Sequence, residues 1–196
     1  RTGGPMSRRL SLFLVASLLG LAAPASAAPP KAVLVMPFEL VDTSQLGDLE
    51  GPSKVDQERL REVTRYAEGL IAESPRFRIV DRSAVQGLLS RFRQTYAYTY
   101  RCDSCAVEAA RKAGADLVIS GWEQKVSNLI RNLTLRVQDA RTGSVVAGGW
   151  TSLRGNTLDM LEHAAYRVVT DHILRSPVSE GSGGGSGSVG EGGGGK

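Results

Sequence analysis

Histidine and cysteine are scarce in this chain. With two of each in 196 residues, few groups are available as a base, a nucleophile or a soft metal ligand near neutral pH. His163 and His172 lie nine positions apart on one C-terminal helical pattern, and no GxSxG elbow, Walker loop or GxGxxG turn is present. Hydrolases built on a nucleophile beside a base, and nucleotide-phosphate sites, therefore have no signature here. A zinc site would need two ligands beyond Cys102 and Cys105, and the histidine spacing matches no structural zinc pattern, so no metal and no cofactor are expected. Charge of one sign is lacking too. Four of the 24 basic and two of the 20 acidic residues fall in the two ends, leaving 20 and 18 and a net charge of +2. Such a balance gives no electrostatic footprint for nucleic acid.

No apolar run is long enough to span a bilayer. The longest, Leu10 to Ala23, falls short of the roughly 20 residues a spanning helix needs. It follows Arg8 and Arg9 and precedes the small-residue site Ala25-Ser26-Ala27, the pattern of a secretory signal peptide. Residues 1–5 are expected to be upstream non-native sequence, residues 6–27 the signal, cleaved near Ala27/Ala28, and residues 176–196 a disordered Gly/Ser-rich tail. Residues 28–175 then form one periplasmic domain, with no membrane span once the signal is removed.

Within that domain the apolar periodicity predicts an α/β (α+β mixed) fold: a mixed sheet of about five strands in the order βαβα(α)βββα, with helices packed on it. "AVLVM" reads as a buried strand closed by Pro37. Leu60, Val63, Ala67, Leu70 and Ile71 mark a long helix opened by Ser53. "RFRIVDR" is a second strand, and Ser83 is the expected cap of the next helix. A helix over residues 104–112 carries alanines on one face and ends at Gly114. "ADLVISGWEQKV" is a central strand. Leu129, Leu133, Leu135 and Val137 alternate with Asn132, Thr134, Arg136 and Gln138, a half-buried strand joined to "VVAGGWTSL" by the turn "DARTGS". Asn156 is expected to cap a last helix whose Leu158, Leu161, Ala165, Val168 and His172 face the core. Trp122 and Trp150 are expected in the core as well, on adjoining strands. The carboxylates Glu39, Asp42, Asp81 and Asp116 stand near strand ends, where caps and turns also place them.

The segments "AVLVMPFEL", "FRIVDRSAV", "CAVEAARKAGADLVISGWEQKV" and "LRVQDARTGSVV" together resemble the periplasmic α/β domains at the amino terminus of TolB and in the curli secretion protein CsgG. With "RGNT" before the last helix, the chain is similar to an uncharacterised secreted proteobacterial family of the same type. The resemblance implies a non-enzymatic binding or assembly module of the cell envelope with an envelope protein partner. For some members it also implies service to a periplasmic quinoprotein-type oxidation system. The propeller repeats of TolB, and the lipid-bearing cysteine and long transmembrane strands of CsgG, have no counterpart here, so neither specific activity carries over.

Two features near Tyr98 could carry function. Cys102 and Cys105 form a CxxC at a helix start. In an oxidising compartment this is most simply a disulfide, closing a loop worth about 2 kcal/mol. The alternative is a thiol-disulfide oxidoreductase with Cys102 as attacking thiol. Asp103 between the cysteines disfavours a thiolate, and the preceding "RQTYAYTYR" is no buried strand of the kind a thioredoxin fold places there. Tyr96, Tyr98 and Tyr100 alternate just before it. If extended, they present three rings on one side, either for partner recognition or for packing over the sheet edge.

Overall fold

The computed structural model describes residues 28–176 apart from Pro52 and Asp103, together with Thr2. The signal segment, the tail beyond residue 176 and Asp103 lie outside the described residues. Strand β1 (Lys31–Val35) is apolar at every position after the first because both faces of the sheet are covered there. Val33 and Val35 point to one side, Leu34 and Met36 to the other, and each side has its own core. Burying Val33, Leu34 and Val35 contributes about 1.5–3 kcal/mol each, so the run of buried residues after Lys31 anchors the sheet.

Pro37 lies just past the end of β1, as the sequence indicates. Pairing resumes as β2 (Glu39–Asp42), which lies parallel to the same neighbour, β4 (Leu117–Lys125). Val35 pairs with Ile119 and Glu39 with Trp122, so three residues oppose two. The proline sits in the unpaired gap between the two strands, where its missing N–H removes no ladder bond. The resumed pairing adds a sixth strand to the five expected.

The sheet runs β3 (Phe77–Ile79), β1, β4, β5 (Arg131–Asp139), β6 (Val145–Leu153). The first pairings are parallel and the last two antiparallel, giving a mixed sheet in one α/β domain. Leu129, exposed, belongs to the turn before β5 rather than to the strand. After β2 come a short helix α1 (Gln45–Glu50), capped by Ser44, and the long α2 (Lys54–Ala72), capped by Ser53 as its sequence indicates. A 3-10 turn over Arg82–Val85 precedes α3 (Gln86–Thr95). Its cap is Asp81, whose carboxylate accepts from Ser83 N, so Ser83 is capped rather than capping. Helix α4 (Cys105–Ala113) ends at Gly114 with φ 70°, the left-handed geometry that favours glycine.

The last helix, α5 (Leu158–Val168), is capped by Thr157, whose hydroxyl accepts from Met160 N, one residue past the Asn156 expected. Beyond Val168 the backbone winds as a π-type turn over Val169–Leu174. The wider turn shifts the inward phase from His172 to Ile173, which is 1% exposed. His172 is exposed, and its ring lies where a Cβ on Gly149 of β6 would stand, 2.4 Å away.

Helices α2 and α5 cover one face of the sheet and α3 and α4 the other. The second cover stops at β4. Beyond it β5 and β6 are covered on one face alone, by α5 and the turn after it with α2 at the Arg131 end, which is why Leu133, Leu135 and Val137 turn inward while Asn132, Thr134 and Arg136 stay half-exposed.

Candidate functional site

The open end of that second face is roofed at its border by the residues after α3. Thr99–Arg101 form a 3-10 turn rather than the extended segment that would put three tyrosines on one side. Glu39, at the start of β2, holds this turn. Its carboxylate accepts from Thr99 N at 2.8 Å, Thr99 Oγ1 at 2.7 Å and Tyr100 N at 2.8 Å. From β5, Arg136 Nη2 donates to Tyr100 O at 3.0 Å. These bonds fix Tyr100 flat on Trp122 of β4, with ring centroids 4.6 Å apart and planes 13° apart.

Tyr98 leans on Tyr100 at 5.8 Å and 44°. The Arg101 guanidinium stands 5.6 Å from the Tyr98 centroid and 5.7 Å from that of Tyr100, and its Nε donates to the Tyr100 hydroxyl. Arg136 lies 5.8 Å over Trp122. Contacts of this kind contribute about 0.5–1.5 kcal/mol each, enough to preorganise the rings. Tyr96 is not among them. It ends α3, is 42% exposed and makes no ring contact among the described residues.

Strand register extends the row outward. Trp122 pairs with Thr134, and Thr134 with Trp150, so all three share the open face. Trp150 is 64% exposed, and with strands about 4.8 Å apart it stands roughly 10 Å from Trp122. The two tryptophans are thus neither on adjoining strands nor in the core. Their shared row was hidden because the register depends on the β-bulge near Val137 and Gln138 and on the hairpin length.

Cys102 and Cys105 are joined by a disulfide with Cα atoms 5.4 Å apart. Cys102 N donates to Thr99 O and Cys105 N to Cys102 O, so the bridge ties the tyrosine turn to the first turn of α4. The cysteines are 8% and 2% exposed, packed with Ala106, Ala109, Ala110 and Phe92. Both histidines stand on the α5 side of the sheet, opposite the cysteines. Among the described residues, no three His, Cys, Asp or Glu side chains cluster to hold a metal ion. The strand-end carboxylates are committed elsewhere: Asp116 accepts from Ala32 N, Asp81 from Ser83, and Glu39 from the tyrosine turn.

A charge network lies buried between α2 and the sheet, with no local signal in the sequence to mark it. Arg131, fully buried, donates to Glu123 Oε1 at 2.6 Å and to Asp56 Oδ1 at 2.9 Å. Lys125 Nζ donates to Asp42 Oδ2 at 2.8 Å and Asp56 Oδ2 at 3.0 Å, and Arg59 also pairs with Asp56. Burial pushes the Glu123 carboxyl above its ordinary value, and Arg131 only partly opposes this. Burial acts the same way on Asp42 and Asp56, but there the bonds from Lys125, with Ser44 or Arg131, prevail and hold both low. For Lys125, burial would lower the ammonium, and its two aspartates hold it high. Glu123, Lys125 and Arg131 stand at one end of the inward rows of β4 and β5, past their apolar residues, so a one-residue shift in register would separate them.

Over residues 31–173, from the first residue of β1 nearly to the end of the last turn, the sequence matches the family DUF3280, described as "Protein of unknown function (DUF2380)". This chain belongs to the DUF3280 family. No curated protein matches it. Solved structures similar to this DUF3280 chain include the LpoB C-terminal domain from Salmonella enterica, with 17% identity and a TM-score of 0.43 over 66% of this chain and 87% of that one. The PelC dodecamer from Paraburkholderia phytofirmans is similar at 15% identity and TM-score 0.43, over 75% of this chain and 90% of that one. TolB from Acinetobacter baumannii follows at 12% and 0.36, over 74% of this chain and 29% of that one. At such values the likenesses say nothing of activity or partner. The resemblance to CsgG rests on the sequence segments alone.

Proposed function

We propose that this DUF3280 chain is a non-enzymatic binding module of the bacterial cell envelope, exported by its signal segment, that recognises a protein partner through the aromatic row Tyr98, Tyr100 and Trp122. The observation that carries this reading is the bracing of half-exposed rings. Glu39, Arg136 and the Cys102–Cys105 bridge hold Tyr100 against Trp122 at the border of an uncovered sheet face. Rigid aromatic side chains with a polar tip lose little conformational freedom on binding, which suits them to a contact surface. Of the three tyrosines proposed from sequence, Tyr98 and Tyr100 belong to this surface and Tyr96 stands apart.

The oxidoreductase alternative finds no support in the burial of both cysteines, because an attacking thiolate must reach its substrate. An accessory role in quinoprotein-type oxidation has no observation behind it among the described residues and forms no part of the proposal. The test is capture of a defined partner from envelope extract by the immobilised chain, repeated with Tyr98→Ala/Tyr100→Ala. The double variant should stay folded, with its melting temperature lowered by several degrees for the lost ring contacts, and lose the partner by at least tenfold. Equal retention by the variant, or insulin reduction by the unaltered chain, would overturn the reading.

A further inference from the structure

Strand β6 is an outer strand, paired among the described residues with β5 alone. It is nine residues long and contains neither a charge nor a proline between Val145 and Leu153. Its backbone makes no hydrogen bond to any described residue outside β5. Edges of this kind invite pairing, and proteins normally blunt them by shortness, charge, proline or a covering element. The opposite edge, β3, is blunted by having three residues. Helix α5 packs beneath β6, His172 of the turn after it lies against Gly149, and among the described residues no element pairs with the outer side.

Beside the C-terminal half of this edge a cleft of about 280 Å³ runs between β6 and α5. Thr151, Arg154, Asp159, His163 and Arg167 line it. Arg154 and Arg167 are exposed, and neither side chain makes a hydrogen bond or ion pair among the described residues. Asp159 is the one acidic group of the lining, so the cleft is net positive even with His163 neutral. On the other side of the strand, Trp150 and Val145 are 64% and 61% exposed.

We propose that β6 docks an extended segment of a partner protein in which acidic and apolar residues alternate. The segment adds a strand along β6, its carboxylates meeting Arg154 and Arg167 in the cleft while its apolar side chains lie beside Trp150. Backbone bonding to the edge supplies affinity, and the period-2 alternation of side chains supplies selectivity. An arginine guanidinium is suited to this because it presents fixed donors to a carboxylate. This surface is distinct from the tyrosine turn and stands or falls separately.

The test titrates the full chain with a fluorescent peptide of nine alternating Glu and Val residues, bounded by prolines to stop self-pairing, and with its Lys/Val counterpart. The acidic peptide should bind saturably and slow amide exchange across residues 145–153. Arg154→Glu/Arg167→Glu should weaken it at least tenfold with unchanged melting temperature and transfer binding to the Lys/Val peptide. Tyr98→Ala/Tyr100→Ala should leave peptide binding as it was. Absent binding, equal binding of both peptides, or protection at residues 98–101 instead of 145–153 would refute the docking edge. So would concentration-dependent self-association that protects the same amides without peptide, which would make a second copy the occupant.

Discussion

Replacing Arg131 with methionine probes the buried charge network most directly. The side chain is fully buried and joins Glu123 to Asp56. Methionine fills a similar volume with no charge, so packing changes little while two ion pairs disappear. Asp56 keeps Lys125 and Arg59, but Glu123 is itself fully buried and loses its counterion, and its Oε2 already lacks a hydrogen-bond partner. Removing one member of a buried pair costs about 3–5 kcal/mol. For a domain of this size each kcal/mol moves the midpoint by about 2–4 °C, so the loss is roughly 6–20 °C. Adding Glu123→Leu should recover most of it, because an apolar pair of similar volume is nearly neutral in place of a buried ion pair. Thermal and urea unfolding of the two single variants and the double form a cycle that reads the coupling. The Arg131→Met deficit should also shrink on acidification, as the stranded Glu123 takes up a proton. If Arg131→Met costs under about 1 kcal/mol, or the double variant is no more stable than the single, the reasoning from uncompensated charge fails.

Two further outcomes follow from the same structure. Asp42 and Asp56 are held below the usual carboxylate range, so the stability they confer is present above that range and lost as pH falls through their folded values. Glu123 has the opposite sign: its raised value makes stability fall as pH rises from the usual glutamate range through the folded value. Lys125→Met should therefore flatten the acid limb of a stability-against-pH curve measured by urea unfolding, and an unchanged limb would refute the assignment. Gly121→Ala should cost about 1–3 kcal/mol in the same assay, because the added Cβ would stand 2.4 Å from Phe38 and 2.7 Å from Leu135. A neutral result would mean that the Phe38 ring moves freely.

Local chemistry made several elements legible before any coordinates. The continuous apolar runs of β1 and β4, the helical spacing in α2, the Ser53 cap and the Gly114 stop each depend on residues within a few positions of one another. So does the disulfide, whose two cysteines share one turn. The errors lie where local signals compete. Pro37 marks the end of β1 correctly, but nothing local tells that the chain returns to β4 as β2. Ser83 and Asn156 are good caps, yet Asp81 and Thr157 occupy the geometry that a cap requires. His172 follows the 3.6-residue stripe until the π-type turn breaks it.

By itself the sequence determined the alternation of buried strands and amphipathic helices, the export signal as an expectation, and the bridge beside the tyrosines. Its period-2 and period-3.6 patterns report which side of each element is apolar, a property of neighbouring residues alone. Tertiary structure alone decided what meets across elements. Tyr100 reaches Trp122 because Glu39, some sixty positions away, holds the turn between them. Arg131 finds Asp56 and Glu123 because the β4–β5 register and the α2 packing bring them within hydrogen-bonding distance. Register, bulges and the place where helical cover stops are long-range facts, and on them depends which rings and charges are buried and which are left to bind.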